Sequence, residues 1–147
     1  MTGCTVDRPL WFAPLSRRIG EQPVSTTEAT APPVWSVALN DVDWTVQQYP
    51  NLPARAQAAR VKMLSRTVFL VLLPPGLIAP AHTYHYDTTY HVTEGAIRFG
   101  DQPWVRANSV RAVCAGHADG PLHAHPAVGV TFLLVSNGPL DLDWVTP

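Results

Sequence analysis

A chain of 147 residues, 46% of them hydrophobic and only 14% charged, has the size and texture of one folded domain rather than of a disordered acidic or basic tail. A formal net charge of −1, with the arginines scattered, leaves no electrostatic footprint for nucleic acid. The longest apolar run, TVFLVLLPPGLIAPA, is broken by Pro74 and Pro75 and is too short to span a bilayer, while MTGCTVDRPLWFAPLSRR lacks the apolar core of a signal peptide; a cytoplasmic protein acting on a small molecule is the expectation.

Residues 1–33 read as an extended arm. EQPVSTTEATAPP is a polar, proline-ended linker, and Trp11, Phe12 and Leu15 before it are apolar enough to dock on an edge strand or a neighbouring subunit. A homodimer is expected on that ground. Residues 34–147 form the domain proper. VWSVAL and DWTVQQ are short β-rich runs around a turn signal, NDVD. ARAQAAR, 54–60, is the one credible helical turn. RVKML and TVFLVLLPP follow, the second with the unbroken apolar character of a doubly buried strand. YHVTEGAIRFG, PWVRA, SVRAVCAG, VGVTFLLVS and PLDLDWV complete a series of short strands separated by Gly, Pro, Asn and Asp. Fifteen prolines fit the same pattern, because proline ends strands and helices. With no βα alternation and no glycine-rich phosphate loop, the class is all-β, a sandwich or small barrel. Cys4 and Cys114 provide no disulfide framework, and Cys114, in an apolar run, reads as a buried thiol.

The histidines carry the chemistry. All six, His82, His85, His91, His117, His123 and His125, fall in two groups within one stretch of the chain: one follows PPG, the other lies in CAGHADGPLHAHPA. Two histidine groups on separate strands of a barrel are what a facial metal site needs, and neutral imidazoles suit Zn, Fe, Ni and Cu. The plain alternative is that loop histidines merely solvate or cap.

PPG followed by His82, His85 and TEG, and then GPLH, resembles the two motifs of the cupin superfamily. DWTVQQYPNLPARAQAARVKMLSRTVFLVLLPPGLIAPAH, TEGAIRFGDQPWVRANSV and VTFLLVSNGPLDLD are similar to single-domain cupins that include dioxygenases cleaving diketones and aromatic ketones, and to the sensory cupin domain of zinc-dependent anti-sigma factors. The resemblance covers about residues 36–145. It implies a double-stranded β-helix of jelly-roll type with one divalent metal, Fe(II) favoured and Zn(II) or another ion next, on His82, His85 and His123. The departures matter. Counting back from Gly95 puts the family's second histidine on Tyr84 and its glutamate on Thr88, beside Asp87. Counting forward from Asn108 puts the third ligand near Asp119, whereas GPLH puts it on His123; His117 and His125 are further candidates.

Strand side chains alternate faces, so His82 and His85 share the cavity only if the strand bulges at Thr83–Tyr84. Without a bulge Tyr84 faces inward, His85 faces out, and His82 hydrogen-bonds a substrate in a metal-free pocket. Tyr84 and Glu94 are the candidate catalytic side chains, although a glutamate beside a turn glycine is commonly solvated. Tyr84, Tyr86 and Tyr90 share a spacing that puts them on one face, and at least two are expected to point outward. Trp44, Trp104 and Trp144 read as core or pocket wall, Asp141 and Asp143 as exposed, and one of Arg98, Arg106 and Arg111 is a candidate anchor for an anionic substrate. The functional expectation is oxidative carbon–carbon cleavage of an enolisable or aromatic ketone; the alternatives are a cyclase or isomerase of polyketide-like intermediates, metal-free if need be, and a ligand-sensing cupin without turnover.

Overall fold

The computed structural model describes residues 34–46 and 59–145. The arm at 1–33, and with it the docking expected of Trp11 and Phe12, lies outside the described residues, as does most of the expected helical turn at 54–60. Of that turn, Arg60 opens a strand instead. The described residues form a short 3-10 turn, Leu39–Asp41, and twelve strands. In chain order these are β1 (Thr45–Val46), β2 (Arg60–Met63), β3 (Val68–Leu73), β4 (Ile78–Ala79), β5 (His82–Tyr84), β6 (Thr88–Phe99), β7 (Val105–Arg106), β8 (Ser109–Val113), β9 (Ala118–Asp119), β10 (Leu122–Ala124), β11 (Val130–Ser136) and β12 (Leu142–Trp144). The class read from the sequence is the class observed.

The strands pair antiparallel. The larger sheet runs β1-β2-β3-β11-β6-β10-β4, with β7 and β8 also paired to β6, and a smaller one runs β12-β5-β9. β6 organises both ends of the larger sheet. Its first part, Thr88 to Gly95, lies between β8 and β11, while Ala96 to Phe99 pairs with β7 and β10. The change of partner coincides with a bulge: Thr131 opposes Glu94 and Phe132 opposes Val92, so Thr93 is the extra residue. A bulge increases local twist and bends the strand. Gly95 follows directly at φ +70°, and a methyl group there would fall on the Gly129 carbonyl oxygen. Only glycine fits that corner without displacing the β10–β11 loop.

Burial follows the alternation of the pleat. In β11, VTFLLVS, the residues Val130, Phe132, Leu134 and Ser136 are buried and those between are half-buried. β3, VFLVLL, is buried at four of six positions, as its unbroken apolar run requires. The core is thus a lining of Val, Leu and Phe from β3 and β11 facing Tyr90, Val92, Ile97 and Phe99 of β6. Cys114, just after β8, is half-buried and disulfide-bonded rather than a buried thiol; the chain's other cysteine, Cys4, is outside the described residues. Among the described residues no helix is long and apolar enough to cross a membrane.

The two glycine environments make a paired prediction. Gly95→Ala is expected to cost at least about 3 kcal/mol, because backbone strain adds to a collision with backbone. Gly76→Ala, also at positive φ (+74°) but with nothing within 4 Å of the added carbon, should cost only about 1 kcal/mol. Urea denaturation of both variants checks the difference.

Candidate functional site

The small sheet sets the site. β5 is paired on both sides without irregularity: His82, Thr83 and Tyr84 oppose Trp144, Asp143 and Leu142 of β12, and His82 and Thr83 oppose Asp119 and Ala118 of β9. The expected bulge at Thr83–Tyr84 is absent, and the bulge occurs at Thr93 instead. Regular alternation therefore turns His82 and Tyr84 inward, both buried, and His85 outward. Across the three strands one inward row reads Trp144, His82, Asp119.

His82 and Trp144 of that row line a cavity of about 370 Å³. Val71, Leu73, Phe132 and Leu134 wall it on the larger sheet, and His82, Tyr84 and Trp144 close the other side. The lining is mostly apolar with a few convergent polar groups, the usual make-up of a small-molecule site.

The polar groups form a directed chain. His82 Nδ1 lies 3.1 Å from the Pro80 carbonyl oxygen, which can only accept, so Nδ1 carries the hydrogen. Burial lowers the His82 pKa from 6.5, against smaller upward pulls from the Pro80 hydrogen bond and the Asp119 charge, and the ring is neutral. Nε2 is then an acceptor, 3.3 Å from the Tyr90 hydroxyl, which donates to it. Tyr84 in turn donates to the Tyr90 oxygen at 2.6 Å. Tyr90 is fully buried; desolvation, and then the neighbouring Tyr84, hold its pKa well above 10.0, so it stays a phenol. Behind this chain, buried Asp119 accepts from Arg111 Nη2 at 2.7 Å and from Nε at 3.4 Å. The Arg111 guanidinium lies 4.2 Å over the Phe99 ring and also donates to Gln102. Arg111 opposes Tyr90 across β6 and β8, and so it shares the inward face.

The structure does not bring His82, His85 and His123 together. His85 is exposed, with Nδ1 and Nε2 each 2.8 Å from a different carboxylate, Asp141 and Asp143. His123 sits between inward Leu122 and Ala124 on β10, on the outer face of the sheet. His91, His117 and Glu94 are exposed, and His125 is half-buried on the outer face. Among the described residues no three His, Cys, Asp or Glu side chains converge on a point that would hold a metal ion. Of the residues that line the cavity, His82, Tyr84 and Asp141 are titratable, the Asp141 carboxylate is bonded to His85, and Asp119 behind them is committed to Arg111; this set does not fit a three-histidine centre. The tyrosine expectation is corrected as well: Tyr84 and Tyr90 point inward and only Tyr86 is exposed. Trp144 is pocket wall as expected, whereas Trp104 lies on the outer face against Arg98. Sequence reasoning missed Tyr90 as a partner of His82, since no fixed spacing announces a contact across the Tyr86–Asp87 corner. Asp119 was reached by counting, as a ligand rather than as a partner of Arg111.

No family model matches the chain, and no curated protein matches it in sequence. Solved structures do match in fold. A cupin-superfamily sugar phosphate isomerase from Silicibacter pomeroyi superposes with a TM-score of 0.63 at 22% identity, over 76% of this chain and 82% of the other. The chain has the cupin fold. Two further cupin-like neighbours superpose equally well, both at TM-score 0.63. One is a putative acetylacetone dioxygenase from Methylibium petroleiphilum, at 21% identity over 80% of this chain and 85% of the other. The other is the polyketide cyclase RemF from Streptomyces resistomycificus, at 15% identity over 78% and 87%. Neighbours of such different activity at such low identity establish architecture, and the chemistry of this chain has to be argued from its own residues.

The two inward- and outward-facing histidines of HTYH titrate in opposite directions. Hydrogen bonding to Asp143 and the Asp141 charge raise the His85 pKa above 6.5. For His82 the unfolded chain binds the proton more readily than the folded one, so folded stability falls as pH drops from 6.5 towards the depressed value. The His85 contribution is fully present below 6.5 and is lost as pH rises through the raised value. Histidine side-chain NMR titration should give one value below and one above 6.5, and His85→Ala should abolish only the loss on the alkaline side.

Proposed function

We propose that this cupin binds a small, largely apolar enolisable or aromatic ketone in the cavity and moves a proton on it, as an isomerase or cyclase. The observation that supports the reading is the hydrogen-bond chain from Tyr84 through Tyr90 to His82 Nε2, which begins at the cavity wall and ends on a neutral imidazole. A ligand enol or phenol hydroxyl at Tyr84 passes its proton to the Tyr84 oxygen. The Tyr84 proton moves to the Tyr90 oxygen, and the Tyr90 proton moves to His82 Nε2. The ligand becomes an enolate and His82 an imidazolium, with Nδ1–H held on the Pro80 carbonyl throughout. Returning the proton to a different atom of the enolate gives an isomer; attack of the enolate carbon on a carbonyl of the same ligand gives a ring. The Asp119 carboxylate, opposite His82, favours the imidazolium that forms. Apolar walls exclude water and strengthen each of these interactions.

Oxidative cleavage, the first expectation from the sequence, has the dioxygenase neighbours in its favour. The donor placement supports proton transfer better, since one histidine rather than three meets the cavity. A sensing role without turnover would use the same cavity with no need of the relay.

Hydrogen–deuterium exchange at the acidic carbon of a small β-diketone, followed by NMR under anaerobic conditions, tests the reading. Wild-type protein should accelerate exchange, and Tyr84→Phe and His82→Gln should each slow it by about 10²–10⁴-fold. Oxygen uptake in the aerobic arm, with no anaerobic exchange, would favour cleavage. Saturable binding with neither would favour the sensor.

A further inference from the structure

The relay uses one histidine of six, and two of the second group, His123 and His125, lie on the other side of the larger sheet. β10 places His123 directly opposite Arg98 of β6, with side chains on the outer face; such cross-strand neighbours sit about 5 Å apart. His125, two residues on, is on the same face, and its ring lies 5.3 Å from that of Trp104. The Arg98 guanidinium lies 5.1 Å over the same Trp104 ring. Arg98, Trp104, His123 and His125 thus form one half-buried cluster on the outer wall of the barrel.

This cluster is rich in donors and has no carboxylate partner among the described residues. Arg98 makes no ion pair or hydrogen bond among the described residues. Its Nε is enclosed without a partner, whereas its terminal nitrogens, equally unpartnered, reach solvent. An unpaired N–H of a charged group is costly, and the terminal nitrogens that reach solvent are the ones open to a partner supplied from outside. His125 Nδ1 accepts the Ala127 N–H at 3.2 Å, so the neutral ring carries its hydrogen on Nε2 and presents a donor. His123 has no hydrogen bond and offers another. The scaffold is rigid: the His125 N–H donates to Ala96 at 3.0 Å, and its carbonyl accepts from Gly129 at 2.8 Å and Gly76 at 3.3 Å.

We infer that the outer face carries a second site, separate from the cavity, that binds a small oxyanion through Arg98, His123 and His125. The ligand class is a phosphate monoester or a carboxylate, whose oxygens accept from the guanidinium and the two imidazoles. Trp104 holds the Arg98 plane in place by cation–π contact and so lowers the entropy lost on binding. The site does not depend on the proton-transfer reading, because it shares no residue with the relay.

The test uses the full chain titrated separately with inorganic phosphate, acetate and chloride at constant ionic strength, followed by NMR of the histidine, Arg98 Nε–H and Trp104 indole signals. Saturable shifts at His123, His125 and Arg98 with phosphate or acetate, and not with chloride, are expected, while the His82 signals stay in place. The arm that saturates at lower concentration identifies the anion. Arg98→Gln should weaken binding at least about tenfold. His123→Ala, which breaks no hydrogen bond, should weaken it less and keeps the test alive if Arg98→Gln fails to fold. Equal response to chloride, shifts confined to His82 and Tyr84, or unchanged affinity in both variants would overturn the inference.

Discussion

Pairing of β5 on both sides is the constraint from which the site follows. β12 pairs in register with all three residues and β9 with His82 and Thr83, so the strand does not rotate or bulge between His82 and Tyr84. Once that is set, His82 and Tyr84 must point into the barrel and His85 must point away from it. The two carboxylates of the β12 segment then have an exposed imidazole to bind, and the cavity receives one imidazole instead of two. The bend this barrel needs is taken up in β6, at Thr93 and Gly95, where glycine lets the Gly129 carbonyl come close.

Polar groups inside an apolar barrel are tolerable only when each has a partner. The interior meets that condition with two linked sets. His82, Tyr90 and Tyr84 satisfy one another as neutral groups, and the Pro80 carbonyl takes the remaining imidazole hydrogen. Arg111 and Asp119 are charged, and they neutralise each other where they meet His82 and Tyr90. A buried ion pair of this kind adds little net stability, since desolvation offsets the attraction. Its field, however, falls on His82 and Tyr90. The same burial that keeps His82 neutral keeps Tyr90 protonated, which gives the chain an acceptor at its His82 end and a donor beside it.

The outer face shows the opposite economy. Among the described residues Arg98 has no counter-charge, and the His125 ring beside it keeps its Nε2 hydrogen uncommitted. Inward Leu122 and Ala124 and outward His123 and Arg98 are two consequences of one alternating strand pair, β6 and β10. Odd and even positions of the same short segments face different solvents.

Much of the architecture was legible in the sequence. Turn-bounded runs and proline spacing indicated an all-β domain, because strand period and turn chemistry are local properties, while the cupin fold was implied by the resemblance of the motifs around PPG and TEG. His82 was legible as inward for the same reason. The clustering of histidines was legible too, but its meaning was not: HTYH is compatible with a bulged pair of ligands or with a regular strand, and the choice depends on neighbours more than thirty residues away. Only the tertiary structure decided that β9 and β12 hold β5 regular, that Asp119 meets Arg111, that Tyr90 caps His82, and that His123 stands with Arg98 on the far side of the wall. Those outcomes are set by register between distant strands. A single-residue slip in register exchanges the faces of every side chain, so local sequence cannot determine them.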